Sequence, residues 1–262
     1  MEIRLLESDS KNNKRSFLLS KSYTAFANAI RRVVVEEVPT MAIEDVEFKQ
    51  NTSILYDEIL AHRFGLLPLK TDLKSYTLPS ECKCKGEGCA RCQLNMTLKS
   101  KGDVVYASEL KSKDPKIKPV YPDALLVKLM KGQKVELEAT ACLGKGKDHA
   151  KWSPGLIFYK YKPIIEVGNI KDAESIVKSC PVGVFEMKGN KVSVNDKNLL
   201  KCHLCQNCVE TDSAVKLEES ENDFIFYVES WGQLSCKEML TAAADILQEK
   251  LSEFNSKIKE LK

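Results

Sequence analysis

Eight of the ten cysteines in this 262-residue chain stand in two tight groups. One is Cys82-x-Cys84-x4-Cys89-x2-Cys92; the other is Cys202-x2-Cys205-x2-Cys208, with a remote fourth member in Cys180, which Pro181 follows. Thiolates at such spacings converge on metal. A bound metal lets a stretch too short to bury a large core fold as a unit. The spacing therefore predicts small metal-nucleated modules set within a longer chain.

In the second group, thiolates on a tight loop reach three corners of a cubane and leave the fourth to a remote sulfur. The run C-x2-C-x2-C-x3-C-P occurs twice in two-cluster bacterial ferredoxins, where the last cysteine of each run binds the other run's cluster. One complete set is present here: Cys180, Cys202, Cys205 and Cys208. The other set would need cysteines at Ile170, Ala173, Ile176 and Asp212, and Ser213 stands where its proline would be. A whole site is gone while its neighbour is intact, which predicts one 4Fe-4S cluster, or a 3Fe-4S form if one ligand is loosely held. Pro181 biases Cys180 toward extended backbone. Residues 184–187 and 191–194 read as short strands joined at Gly189-Asn190, a ferredoxin-like half-module. The alternatives for this group are a zinc site using His203 or a pair of disulfides.

The first group, Cys82, Cys84, Cys89 and Cys92, offers two thiol pairs across a turn containing Gly86 and Gly88, which suits the tetrahedral S4 geometry of structural zinc. With no fourth position open, catalysis there is not expected. Disulfides or a redox loop are the alternative. Cys142 and Cys236 remain, and read as buried free thiols.

With 43% hydrophobic and 29% charged residues, the chain has material for a real core and for two or three domains. A net charge of +3 is too mild to argue for a nucleic-acid surface. No apolar run approaches a membrane span, and residues 1–7 alternate polar and apolar side chains in place of a signal peptide, so a cytoplasmic location is expected.

The chain ends carry a different pattern. Ile3 and Leu5, then Phe17 and Leu19, suggest strands; residues 21–38 read as a helix with Phe26, Ile30, Val33 and Val34 on one face, stopped by Pro39. Phe224, Phe226 and Val228 alternate as in a half-buried strand, and Ser235-Cys236-Lys237-Glu238 is a capping-box signature. Beyond it Leu240, Ala244, Leu247, Leu251, Phe254, Ile258 and Leu261 repeat by fours and threes, a narrow apolar seam on a helix. At a rise of about 1.5 Å per residue that helix outreaches a small domain, so much of the seam is expected to face another subunit. The ends together read as one domain interrupted by an insertion.

Several segments are recognisable: Phe26-Ala27-Asn28-Ala29-Ile30-Arg31-Arg32, Glu37-Val38-Pro39-Thr40-Met41-Ala42-Ile43, Asn51-Thr52-Ser53, the run from Asp57-Glu58-Ile59-Leu60-Ala61-His62-Arg63 to Leu69, and Lys147-Asp148-His149-Ala150-Lys151-Trp152-Ser153-Pro154. Together and in this order they resemble the D-subunit family of archaeal RNA polymerase. That family is similar to the third-largest subunit of eukaryotic RNA polymerase II and to the N-terminal domain of the bacterial alpha subunit.

The resemblance implies an α+β fold in three parts: a discontinuous alpha-subunit-like dimerisation domain over residues 1–50 and 219–262, an inserted mixed β domain with the zinc-type loop over 51–166, and an inserted ferredoxin-like 4Fe-4S domain over 167–218. It implies an assembly platform with no catalytic site on this chain. Helices matching residues 23–38 and 236–261 would pair with subunit L through Phe26, Ile30, Val33, Leu240, Ala244, Leu247, Leu251, Phe254 and Ile258. Subunits N and P and the second-largest catalytic subunit would follow, with Arg31 and Arg32 and the loop 144–154 as further contacts; the bland reading of the two arginines is a solvated pair. Gly144-Lys145-Gly146-Lys147 lacks the spacing of a phosphate loop. Family members differ in how many clusters and zinc cysteines they keep, so both metal readings rest on this chain's own spacing.

Two rivals remain. A ferredoxin-like electron-transfer protein has against it the single cluster and the lack of a flavin or nicotinamide fingerprint. A zinc-dependent nucleic-acid binder, like the first rival, leaves the terminal helices unexplained. Glu58 and His62, four apart on a short helix, read as a solvated face and not as a catalytic pair.

Overall fold

The computed structural model describes residues 1–189 and 191–261. In chain order the elements are strands β1 (Glu2–Asp9) and β2 (Lys14–Ser20), helix α1 (Thr24–Glu36), β3 (Thr40–Asn51), α2 (Asp57–Gly65), β4 (Gln93–Ser100), β5 (Val104–Tyr106), β6 (Lys111–Ser112), β7 (Leu125–Lys128), β8 (Val135–Gly144) and β9 (Gly155–Val167). There follow α3 (Ala173–Ser179), β10 (Phe185–Lys188), β11 (Lys191–Val194), α4 (Asp196–Leu199), α5 (Asn207–Thr211), β12 (Val215–Ser230) and α6 (Cys236–Glu260). This is the mixed α+β content expected. The chain forms two compact units: Met1–Ser8, Arg15–Ala29 and Phe158–Tyr227 make one, and Asp9–Lys14, Ile30–Ile157 and Val228–Lys262 the other.

The first unit is built on a sheet of order β1-β2-β12-β9. The alternation at Phe224 and Phe226 puts both rings inside, where Phe226 stacks on Phe17 at 5.0 Å and meets Tyr159 at 5.3 Å. Offset aromatic packing of this kind adds to the area each ring buries. Helix α1 starts at Thr24, three residues later than its periodicity suggests, because Lys21 takes a left-handed φ of 55° and the Ser22 N–H is already spent on the Asn222 carbonyl at 2.9 Å. The ends of β9 and β12 run on into a small module with its own core of Ile176, Val184, Phe185, Cys202, Cys208 and Val215. Strands β10 and β11 pair antiparallel from Phe185↔Val194 to Lys188↔Lys191. Gly189 adopts the positive φ of 63° that such a turn needs, while Asn190 lies outside the described residues.

The second unit holds the antiparallel sheet β3-β8-β4-β6 and the pair β5-β7. β3 and β8 run together from Thr40↔Gly144 to Asn51↔Val135, and β4 joins from Gln93↔Cys142 to Ser100↔Val135. Met41, Ile43, Met96, Leu98 and Leu137 form the floor of its core, and α2 inserts Leu60 and Phe64 from above. The Asp57-to-Leu69 run is thus largely a core-building segment, with Glu58 and His62 exposed on α2.

Ser235 caps α6 as predicted: its hydroxyl accepts the Glu238 N–H at 3.2 Å and the Glu238 carboxylate accepts the Ser235 N–H at 2.8 Å. The helix is buried only near its start, at Cys236, Met239 and Ala243. From Gln248 onward every described residue is exposed.

Candidate metal centres and assembly surface

The loop between α2 and β4 gathers four thiols. The Sγ atoms of Cys82, Cys84, Cys89 and Cys92 all lie within 4.8 Å of one another. Three edges are 3.5 Å (Cys82 to Cys89), 3.5 Å (Cys84 to Cys92) and 3.8 Å (Cys89 to Cys92). A tetrahedral ion with metal–sulfur bonds of about 2.3 Å has edges of roughly 3.8 Å, so the donor set fits one ion of zinc's kind and size. The turn closes through left-handed residues Lys85, Gly86 and Gly88 and through Lys85 N–H to Cys82 O at 2.9 Å. Cys89 N–H donates to the Cys92 sulfur at 3.3 Å, the kind of backbone contact that steadies a thiolate ligand. The backbone N–H of Cys84, then the Cys84 and Cys89 thiols, pull the Cys82 thiol down to about 6, whereas burial pushes Cys92 up to about 12. Binding a metal through Cys92 must displace the proton that burial holds there.

The second set is arranged differently. Cys180, Cys202, Cys205 and Cys208 line one pocket, with Val184 and Phe185 among its walls. Cys202 and Cys208 are buried, Cys180 half-buried and Cys205 exposed. Burial raises the Cys202 and Cys208 thiols. Leu204 and Gln206, either side of Cys205, both take left-handed backbone, with φ of 59° and 66°. Non-glycine residues rarely do so, and alternating backbone of this sort makes the concave N–H nests found around phosphates and iron–sulfur groups. No residue-type pattern announces this feature, since neither position is glycine or asparagine.

The positions where a second cluster would have its ligands are filled by other means. Ile176 is fully buried in the module core and Ile170 packs against it. Asp212 accepts the N–H groups of Lys171 at 3.1 Å and Ala214 at 2.9 Å.

On the predicted assembly surface, α6 presents Leu251, Phe254 and Ile258 at 63%, 61% and 45% exposure. Leu240 and Leu247 are half-buried and Ala244 is exposed. On α1, Phe26 and Ile30 are half-buried, whereas Val33 is buried within the chain itself. Arg32 is held by Glu36 one turn on, with contacts of 3.2 and 3.1 Å, and Arg31 is half-buried. In loop 144–154 the glycines serve close packing. A Cβ on Gly144 would lie 2.3 Å from the Trp152 ring, and one on Gly146 would lie 2.0 Å from the Val35 carbonyl oxygen. Trp152 and Thr40 lock the same loop, the threonine hydroxyl donating to the Trp152 carbonyl at 2.7 Å.

A β-sheet insert carrying a thiolate loop, in a chain whose termini form strands and amphipathic helices, matches a known class. Residues 46–157 fit the family model of the RNA polymerase Rpb3/RpoA insert domain. Relatives named DNA-directed RNA polymerase subunit Rpo3 align end to end. The Methanosarcina acetivorans protein is 40% identical over 97% of this chain and 96% of its own length, and that of Methanosphaera stadtmanae is 41% identical over 95% and 96%. The Pyrococcus furiosus protein is 33% identical over 100% and 98%. The chain belongs to the Rpo3 family of DNA-directed RNA polymerase subunits. Membership in a polymerase family does not favour the electron-carrier reading. No helix among the described residues is long and apolar enough to cross a membrane.

Proposed function

We propose that this chain is a non-catalytic assembly platform of DNA-directed RNA polymerase. It pairs with the smaller subunit L through α1 and the outer part of α6, and the pair then gathers subunits N and P and the second-largest catalytic subunit. The observation that carries this reading is the exposed stripe of Leu251, Phe254 and Ile258. Three large apolar side chains in line on a regular helix are costly to leave in water at about 25 cal/mol per Å², and a second helix face is the natural cover. Residues 1–50 and 219–262 would form the pairing domain, 51–166 the insert domain and 167–218 the iron–sulfur domain.

Cys82, Cys84, Cys89 and Cys92 would hold one structural zinc; their S···S edges support this. Cys180, Cys202, Cys205 and Cys208 would hold one 4Fe-4S cluster; their ferredoxin-type spacing and the one pocket that all four line support this. Such a group supplies four metal–sulfur bonds and one-electron chemistry when bound. The chain's own residues present the thiols, exclude water with Val184 and Phe185, and hold the loop in its left-handed conformation. We take the cluster as a staple for a module too small to stand on its core alone.

Co-expression with a candidate subunit L, followed by gel filtration and metal quantification, tests the reading. The expected product is a one-to-one heterodimer with four irons and one zinc; a monomer indifferent to the candidate contradicts it.

A further inference from the structure

Lys160, in the middle of β9, reaches out of the sheet to the three-cysteine loop. Its Nζ donates to the Cys202 carbonyl at 2.7 Å and lies 5.6 Å from the Tyr227 ring centroid. Tyr227 is itself fixed by stacking on Phe158 at 5.0 Å. The ammonium is therefore held from two directions: by an aromatic face on the neighbouring strand β12, and by the backbone of a residue whose sulfur faces the cluster cavity. Two residues along the same strand, Lys162 spends its charge differently, on Asp223 at 3.1 Å. The two lysines project from the same face of β9, yet only the first bonds a cysteine of the ligand set.

We propose that Lys160 is a positioning residue for the iron–sulfur site, a cationic strut that fixes the Cys202 end of the ligand loop to the sheet and sets a positive charge beside the cluster. The proposal rests on the iron–sulfur reading given above. Its physical basis is twofold. Groups just outside the ligands orient them, and their loss commonly lowers metal affinity by about 10- to 100-fold. Net charge and hydrogen bonding around a cluster also set its potential, and a cation close to a thiolate-ligated cluster favours the electron-rich state.

The test compares anaerobically purified full-length wild type with K160M, K160R and K162M. Iron and sulfide per chain, the decay of the visible absorbance in air and the midpoint potential are the readouts. For K160M, cluster loss about tenfold faster than wild type and a more negative midpoint are expected. K160R, which keeps the charge, should recover most of the midpoint, and K162M should match wild type in both. If K160M does not fold, K160Q carries the same prediction. A K160M protein that matches wild type in decay and potential overturns the proposal while leaving the cluster in place. So does a K162M protein that shifts as far as K160M, since any lysine on that face would then serve. A wild-type chain that binds no iron overturns the iron–sulfur reading itself, and the proposal with it.

Discussion

Lys250, in the middle of α6, donates to the Glu37 carboxylate at 2.9 Å, just past the end of α1. Lys147 and Lys145 approach the same carboxylate at 3.5 and 3.6 Å, so one acid ties α6 and the loop after β8 to the end of α1. The Glu37 side chain is only 13% exposed. Burial alone would raise its pKa, but the Lys250 bond and the three lysine charges outweigh burial and hold it below the usual 4.5.

A carboxyl depressed in the folded state stabilises above its ordinary value and loses that contribution as pH falls through the folded one. Glu37→Gln should therefore cost about 1 kcal/mol near neutral pH, a figure kept low because two of the three lysines are about half exposed. The gap between variant and wild type should close in acid below 4.5. Urea melts of both proteins across pH measure it; a gap independent of pH would contradict the assignment.

Gly146 sets a steric prediction. With the Val35 carbonyl oxygen 2.0 Å from where a Cβ would sit, Gly146→Ala must push the loop off α1. The obstacle is backbone and not a yielding side chain, so a loss of about 2–3 kcal/mol is expected. Thermal melts report it. An unchanged midpoint would mean that the loop is free to move away.

For the thiol group after α2, proton release is the signature. Zinc binding at neutral pH must displace the proton of Cys92, which burial holds up at about 12. Titration calorimetry in buffers of different ionisation enthalpy should give buffer-dependent heats, and Cys92→Ser should abolish stoichiometric zinc. Heats that do not depend on buffer would argue against a tetrathiolate site.

What the sequence reveals here is whatever is local. The capping box at Ser235 is visible because both partners sit within four residues, and the cysteine groups are visible because ligand spacing is itself the signal. The α6 seam shows in the fours and threes of its leucines, yet the face that docks on its own unit, Met239 and Ala243, is offset from that seam and escapes it. Contacts made by single long side chains across the fold leave no pattern at all. Glu37 with Lys250, and Lys160 with Cys202, are charged residues that read as solvated until the chain is folded. The left-handed turns at Leu204 and Gln206 are hidden for another reason: the residues there are not the ones that prefer such backbone.

The proposed assembly role stands or falls on what covers the outer half of α6. Co-purification of the candidate subunit L with a chain carrying Leu247→Glu, Leu251→Glu and Phe254→Glu measures it, with iron and zinc content as the check that both metal modules remain folded. Loss of the one-to-one complex with metal content unchanged is the predicted result. A variant that binds the partner as well as wild type would contradict that role.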